Sequence, residues 1–356
     1  MNRIFKIFSV LAITVLFANC QKDDGVGPVE ARPHPEVYPE DLVKIEDYLH
    51  RYYVEVTKDV DGDVTNVVMN PLDASHTVSI WDQTEYPLLH KIVKRFGVDF
   101  KVYYLKFDGK GDTDADGDKP SGVDVVLTSY RGISLTRTYN AVTSQYDLAT
   151  QQFDYAPNPT QIGLADVATK GWEYIFPEFR AGILDPLNDD GTLTSNNYGS
   201  GVMFLPSGLG YYNQSFGNIP QYAPLIFTFN LHAVTYTDLD NDKIPSRYEY
   251  ILNADGTLLD TDGDGIPNVF DADDDNDGYL TKEEIKKPIP LLVGQGPSPY
   301  YPFNPFTVAD DPATTTVDES LNSEPKGIPD ASGDGTTTTR LRRHLDRTAK
   351  PPYTVY

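Results

Sequence analysis

A chain of 356 residues is long enough for two or three structural units, and its 53 Asp and Glu against 29 Lys and Arg give a formal charge of −24. Nucleic-acid binding needs a basic surface that releases phosphate counterions, so this balance excludes a general nucleic-acid binder. The single Cys excludes an internal disulfide and a Cys-based zinc site, whereas 27 Gly, 27 Pro and 24 Tyr favour strands, turns and loops over long helices.

Arg3 and Lys6 precede an apolar run from Ile7 to Ala18. A bilayer takes about 20 apolar residues, so this run is too short to span one and suits the core of a signal peptide over residues 1–19. It ends at Ala18-Asn19-Cys20, with Cys20 where a bacterial lipoprotein carries its acylated Cys; Asn19 departs from the small residue usual before it. Gln21-Lys22-Asp23-Asp24 resembles the export signal that sends lipoproteins of the Bacteroidetes group to the cell surface. The resemblance implies lipidation at Cys20, attachment to the outer membrane, and surface exposure rather than a periplasmic position. Residues 20–40, rich in Gly and Pro, read as the lipidated Cys and a spacer.

Residues 41–96 read as an N-terminal extension of uncertain fold. Leu42, Ile45, Tyr48 and Leu49 are spaced as on a helix, and Val64 to Met69 is strand-like. Clear alternation follows at Val98–Leu105, Val123–Tyr130 and Leu225–Leu231, with one helical stretch near Gly171 to Arg180 that Pro177 limits. An antiparallel sheet wrapped on one short helix is an α+β arrangement.

Within residues 97–236 five pieces fall in order: Tyr130-Arg131-Gly132, Phe153-Asp154, Gly171-Trp172-Glu173, Pro206 to Tyr211, and Ile219 to Phe227. They resemble the FKBP-type peptidyl-prolyl cis-trans isomerases, which show a strand ending in Tyr and Gly, a Phe-Asp pair, a Gly-Trp opening the helix, a Pro-x-x-Leu-Ala-Tyr turn and an Ile-Pro-Pro strand carrying Phe. The resemblance implies a pocket of Tyr130, Phe153, Asp154, Val167, Trp172, Tyr211 and Phe227. Trp172 would be the floor, Phe227, Phe153 and Tyr130 the walls, Asp154 a rim acceptor, and Tyr211 a donor to a substrate carbonyl. Departures are Val167-Ala168-Thr169-Lys170 where a Val-Ile pair is usual, Gln221 for the second Pro, and Gly210 for the turn Ala. Insertions at 112–119, 137–151 and 185–200 read as longer loops around the pocket.

From Asp238 to Glu284 the chain holds fifteen acidic residues against Lys243, Arg247 and Lys282, half of the whole charge. Within residues 237–287 three stretches match an oxygen-ligand calcium loop, with side chains at positions 1, 3, 5, 9 and 12 and a backbone carbonyl at 7. The first offers Asp238, Asp240, Asp242, Ile244, Ser246 and Glu249. The second offers Asp260, Asp262, Asp264, Ile266, Asn268 and Asp271. The third offers Asp273, Asp275, Asp277, Tyr279, Thr281 and Glu284. The tandem pattern resembles thrombospondin type 3 repeats more than paired helix-loop-helix hands, and implies structural Ca2+. A fainter echo of these loops, the acidic run 112–118, reads as an exposed turn, with a further metal loop as the alternative. Residues 288–356 form a Pro/Thr-rich tail that ends in Arg340, Arg342, Arg343 and Arg347; it is either disordered or folded back on the acidic segment.

The resemblances imply an envelope-anchored isomerase of X-Pro bonds in polypeptide substrates, with calcium as a structural ion and no cofactor in catalysis. The alternatives are an FKBP-like pocket that binds Pro-containing peptide without turning it over, and a calcium-dependent surface interaction or stalk protein. The six His are scattered, and neither a Gly-x-Ser-x-Gly elbow nor a phosphate-cradling Gly-rich loop is present.

Overall fold

The structure is a computed structural model that describes residues 30–111, 113, 116–185, 194–287, 299–301, 303, 328–329 and 341–353. The signal-peptide stretch, Cys20, residues 21–24, Asp112 and Asp114, and most of the Pro/Thr-rich tail lie outside the described residues. Residues 1–33 and 34–356 separate into two units, and all described secondary structure belongs to the second.

The first helix, α1, runs His34–Arg51, so it starts inside the stretch read as a spacer. Pro35 is tolerated there because first-turn N–H groups have no intrahelical acceptor. Val37, Asp41, Ile45, Tyr48 and Leu49 form one buried stripe at helical spacing, which holds the helix despite Pro39. A hairpin follows, of β1 (Tyr52–Lys58) and β2 (Val64–Pro71).

The later strands are β3 (Leu89–Arg95), β4 (Val98–Lys106), β5 (Val125–Asn140), β6 (Gln145–Gly163), β7 (Ile183–Leu184), β8 (Ser195–Asn196), β9 (Gly199–Leu205) and β10 (Leu225–Thr235). Six of them make one antiparallel sheet in the order β3-β4-β9-β10-β5-β6, while β7 and β8 pair separately. The boundary placed at 96/97 falls in the β3–β4 turn, where Phe96 and Gly97 take positive φ. The fold of the sheet therefore begins before residue 97. The insertion at 137–151 is not a loop but an extension of the β5–β6 ribbon, with Arg137 opposite Leu148 and Tyr139 opposite Tyr146. Of the insertion at 185–200, Ser195 and Asn196 pair with β7.

Period-two alternation sends side chains to two faces, and both are covered. On one face Phe100, Val102, Tyr104, Met203, Leu205, Leu225, Phe227 and Phe229 meet a short helix, α2 (Gly171–Ile175), and the 3-10 turn Phe176–Glu178 that Pro177 opens. On the other, Tyr103, Leu105, Val202, Phe204 and Ile226 meet Ile45, Tyr48 and Leu49 of α1 and Val64 and Val67 of the hairpin. Every residue of β9 is buried as a result. The molecule is thus α+β with a mostly antiparallel sheet and few helices; of residues 41–96, α1 and the β1–β2 hairpin form the second covering layer while β3 joins the sheet.

Beyond β10 the chain runs through three acidic loops to a one-turn helix, α3 (Thr281–Glu284). Residues 341–353 fold back on the third loop. Arg347 donates to Asn276 O (3.1 Å), Lys350 Nζ to Asp277 O (2.6 Å), and Tyr353 OH to Glu284 Oε1 (2.5 Å). Arg343, buried, lies over the Tyr353 ring at 4.1 Å.

Candidate functional site

β10 carries Phe227, β5 carries Tyr130, β6 carries Phe153 and Asp154, and α2 carries Trp172. The register sets Phe227 beside Gly132, and Gly132 beside Asp154. Gly132 is required at this crossing, since a Cβ would stand 2.6 Å from Phe153 Cζ and 2.8 Å from Phe227 Cε1. Gly171 is required at the start of α2, where a Cβ would meet Leu205 Cδ2 at 2.4 Å. These two glycines let the aromatic rings and the helix close on the sheet.

The rings interlock edge to face. Trp172 lies 5.0 Å from Tyr130 at 85° and 5.0 Å from Phe227 at 86°, and Phe153 lies 5.6 Å from Phe227 at 88°. Such T-shaped contacts set the electropositive edge of one ring on the face of the next. Burial grades outward: Trp172 and Phe227 are 2% exposed, Tyr130, Phe153, Val167 and Tyr211 are half-buried, and Asp154 is exposed. Tyr130 OH donates to Asp154 Oδ2 at 2.7 Å. Burial, and then the Asp154 carboxylate, push both the Tyr130 and the Tyr211 phenols up, so both stay protonated donors. Tyr211 also stacks on Phe216 at 5.1 Å. Tyr130, Phe153, Trp172 and Phe227 of the residues named from the sequence are thus brought together as one aromatic cluster, with Asp154 at its exposed edge and Val167 and Tyr211 packed against the same core. Phe176, not named from the sequence, packs on Trp172 from behind at 5.0 Å.

A separate cavity of about 150 Å³ lies between the β1–β2 hairpin and the sheet, lined by residues 64–67, 129–131, 155–157 and 228–230. Arg131 donates to Val67 O beside it at 2.6 Å.

The three acidic loops share one set of bonds. The fifth-position Asp accepts the seventh-position N–H in each, from Asp242 to Ile244 (2.7 Å), Asp264 to Ile266 (2.8 Å) and Asp277 to Tyr279 (2.8 Å). The third-position Asp accepts the fifth-position N–H. The ninth-position side chains, Ser246, Asn268 and Thr281, accept the second-position N–H of Leu239, Thr261 and Asp274. These three oxygens thus close their loops, a role that spacing alone did not reveal. Carboxylate oxygens converge within 4.8 Å of one another in Asp238/Asp240/Asp242, Asp260/Asp262/Asp264 and Asp273/Asp275/Asp277. Asp271 and Glu284 fall outside these groups; Asp271 Oδ1 accepts the Asp273 N–H at 3.0 Å. Glu284 is pushed up to about 8 by burial, and its Oε2 is buried without a partner. Buried oxygens without a hydrogen-bond partner also occur on Asp238, Asp240, Asp242, Asp262, Asp275 and Asp277, the last of these 3.7 Å from the Lys350 ammonium. Such atoms cost free energy unless a cation or proton satisfies them, so the donor set fits a hard cation with oxygen ligands.

Tyr250, directly after the first loop, donates to Glu173 Oε1 at 2.7 Å, and Arg95 lies 3.8 Å from Glu173 Oε2. Glu173 follows Trp172 in α2, so the acidic segment is anchored beside the pocket floor. Tyr250→Phe strips a buried carboxylate of its hydroxyl donor and is expected to cost about 1–3 kcal/mol. Urea unfolding of the variant measures it, and an unchanged midpoint would show that the contact carries no weight.

Buried rings thus lie beneath an exposed phenol–carboxylate pair. Residues 239–316 match the family model described as BamM C-terminal. No curated protein matches the chain. Among solved structures the chain is similar to a peptidyl-prolyl cis-trans isomerase from Pseudomonas syringae pv. tomato, at 13% identity and a TM-score of 0.30, over 58% of this chain and 98% of that one. It is also similar to FkpA from Escherichia coli, at 18% identity and a TM-score of 0.25, over 38% of this chain and 48% of that one. The N-terminal domain of FKBP42 from Arabidopsis thaliana gives 14% and 0.27, over 41% and 92%. Overlaps of this size leave the chemistry to be read from the side chains themselves.

Proposed function

We propose that this chain is an FKBP-type peptidyl-prolyl cis-trans isomerase, tethered by a lipid on Cys20 to the outer membrane, with the acidic segment stiffened by Ca2+. The observation that carries the isomerase reading is the graded pocket, from the buried Trp172–Phe227 floor to the Tyr130–Asp154 pair at its rim. Rotation about an X-Pro bond meets a barrier of about 18–20 kcal/mol, because it breaks amide resonance. The cis and trans states differ by only about 0.5–1 kcal/mol, so the step needs neither a nucleophile nor a cofactor. The floor takes the proline ring and removes water from the amide, which favours the twisted, less charge-separated form over the planar one. The Asp154 carboxylate, oriented by the Tyr130 hydroxyl, stands at the rim as an acceptor beside the amide. Tyr211 donates to a substrate carbonyl.

The test follows cis-to-trans relaxation of a short X-Pro peptide. Wild type is expected to accelerate it, and Asp154→Ala, an exposed position that leaves the core intact, to lose at least about tenfold in kcat/KM, or about 1.4 kcal/mol. Peptide binding without acceleration would overturn the isomerase reading in favour of a silent peptide-binding module.

The calcium reading is supported by the repeated loop bonds and the partnerless carboxylate oxygens. Ca2+ would be held by the Asp238, Asp260 and Asp273 loops, with the carbonyls of Ile244, Ile266 and Tyr279, and would neutralise carboxylates that burial otherwise penalises. The match of residues 239–316 to the BamM C-terminal family supports an outer-membrane setting. Among the described residues no helix is long and apolar enough to cross a membrane.

A further inference from the structure

A fourth convergence of carboxylates joins loops that the sequence spacing keeps apart. Asp242 ends the acidic run of the first loop, Glu249 closes that loop, and Asp274 sits at the second position of the third loop, where the loop pattern assigns no ligand. One oxygen from each lies within 4.8 Å of the others. All three residues are deeply buried, with Asp242 0%, Glu249 5% and Asp274 2% exposed. Asp242 Oδ2, both oxygens of Glu249 and both oxygens of Asp274 have no hydrogen-bond partner. The other oxygen of Asp242 is taken by the Ile244 N–H. Of the two basic residues of the loop, Lys243 points its ammonium to Asp238 at 3.5 Å and Arg247 lies over the Tyr236 ring at 4.2 Å.

Three carboxylates removed from water and aimed at one another repel unless a positive charge stands among them, and the cost of an unpaired buried charge is several kcal/mol. A single proton cannot satisfy five partnerless oxygens. A hard divalent ion can, because Ca2+ takes six to eight oxygen ligands in flexible geometry. We infer that Asp242, Glu249 and Asp274 form one Ca2+ site that ties the first acidic loop to the third.

The inference rests on the reading of the acidic segment as calcium-binding, and gives it a particular function. Asp274 supplies the first loop with a ligand from outside itself. Its own N–H is held by Thr281 Oγ1 at 3.2 Å, which fixes it to the third loop. An ion here therefore clamps residues 271–284 onto the loop that ends beside Tyr250, and through Tyr250 onto the α2 helix. A site of this kind is also selective by construction, since neither loop alone carries the full set of carboxylates.

The test titrates Ca2+ into the chelator-stripped full chain by calorimetry and follows thermal unfolding with and without Ca2+, for wild type, Asp274→Asn and, as a control in the second loop, Asp262→Asn. Asp274→Asn is expected to weaken one binding event at least tenfold, because affinity in such sites follows the count of charged ligands, and to shrink the Ca2+-dependent rise in Tm. In chelator the same variant is expected to melt at or above wild type, since it removes repulsion. A residue needed only for packing would instead lower Tm in both conditions, and that result overturns the inference. So does a wild type that binds Ca2+ together with an Asp274→Asn variant that titrates identically; the calcium reading then survives through the Asp262 loop. A wild type that binds no Ca2+ overturns both.

Discussion

Trp172→Ala is expected to lower the free energy of unfolding by about 3–5 kcal/mol, the range for truncating a fully buried large aromatic. The indole is held by packing alone, since Nε1 is buried without a hydrogen-bond partner. It touches Tyr130, Phe176 and Phe227, each with its centroid 5.0 Å away, and its removal opens a cavity under three rings at once. Tyr130 and Phe227 sit on β5 and β10, whose backbones are fixed by the sheet, and Phe176 on the turn after α2, so collapse into the void is limited. Trp172→Phe keeps an aromatic face against the same neighbours and is expected to lose less than half as much. Denaturant unfolding followed by far-ultraviolet circular dichroism measures both variants. A Trp172→Ala protein within about 1 kcal/mol of wild type would show that the ring is not the packed floor. On the proposed isomerase reading the proline ring would lose its seat, and peptide relaxation, read per folded molecule, should fall to the uncatalysed rate even where the variant remains folded.

The alternation of β4 and β10 was legible because each strand mixes sizes and polarity along a period of two. β9 was not, because Gly199–Leu205 is buried on both faces and so reads as a plain apolar run. β6 was hidden for the opposite reason. It is polar, mostly exposed and contains Pro157 and Pro159, which an edge strand tolerates because its outer N–H groups need no ladder partner. Six of the seven named residues came from ordered short motifs and Val167 from a departure beside one, and Gly132 and Gly171 show why two of those motifs hold their glycine: ring and helix approach the sheet too closely for a Cβ. Phe176 carried no such signal. In the acidic segment the spacing gave the Asp triplets, since they are local in sequence. It gave neither the loop-closing bonds of Ser246, Asn268 and Thr281 nor the approach of Asp274 to Glu249, which depends on how two loops pack. Whether the basic tail folds back was likewise undecidable from composition; Lys350 and Arg347 reach backbone carbonyls of the third loop, and Lys350 also pairs with Asp277 at 3.7 Å.

The largest polar effect is expected at Asp41, a carboxylate of α1 that is 0% exposed. Its Oδ2 accepts the Ser207 N–H at 2.8 Å and the Ser207 hydroxyl at 2.5 Å, and Lys44 Nζ lies 3.0 Å from Oδ1. Lys44 also donates to Tyr222 O at 2.8 Å. One side chain thus joins the helix covering the far face of the sheet to the Ser207–Leu209 turn, which leads directly into Tyr211. Asp41→Ala leaves Ser207 with two buried donors unmet and Lys44 without its counter-charge, and is expected to cost about 3–5 kcal/mol. Asp41→Asn keeps an acceptor for the Ser207 N–H and is expected to cost about 1–2 kcal/mol. Burial raises the Asp41 carboxyl, and Lys44 and Ser207 only partly oppose it. Because the folded value lies above the unfolded one, the folded state holds the proton more tightly; that part of the stability is complete below about pH 4 and fades as the pH rises through the raised value. The gap between wild type and Asp41→Asn should therefore narrow as pH increases. A double-mutant cycle of Asp41→Ala with Ser207→Ala isolates the contact, and a coupling above about 1 kcal/mol is expected. If the two losses simply add, the helix does not hold the turn. If they couple, then on the proposed isomerase reading peptide binding should weaken with them, because the turn that Asp41 pins leads into Tyr211.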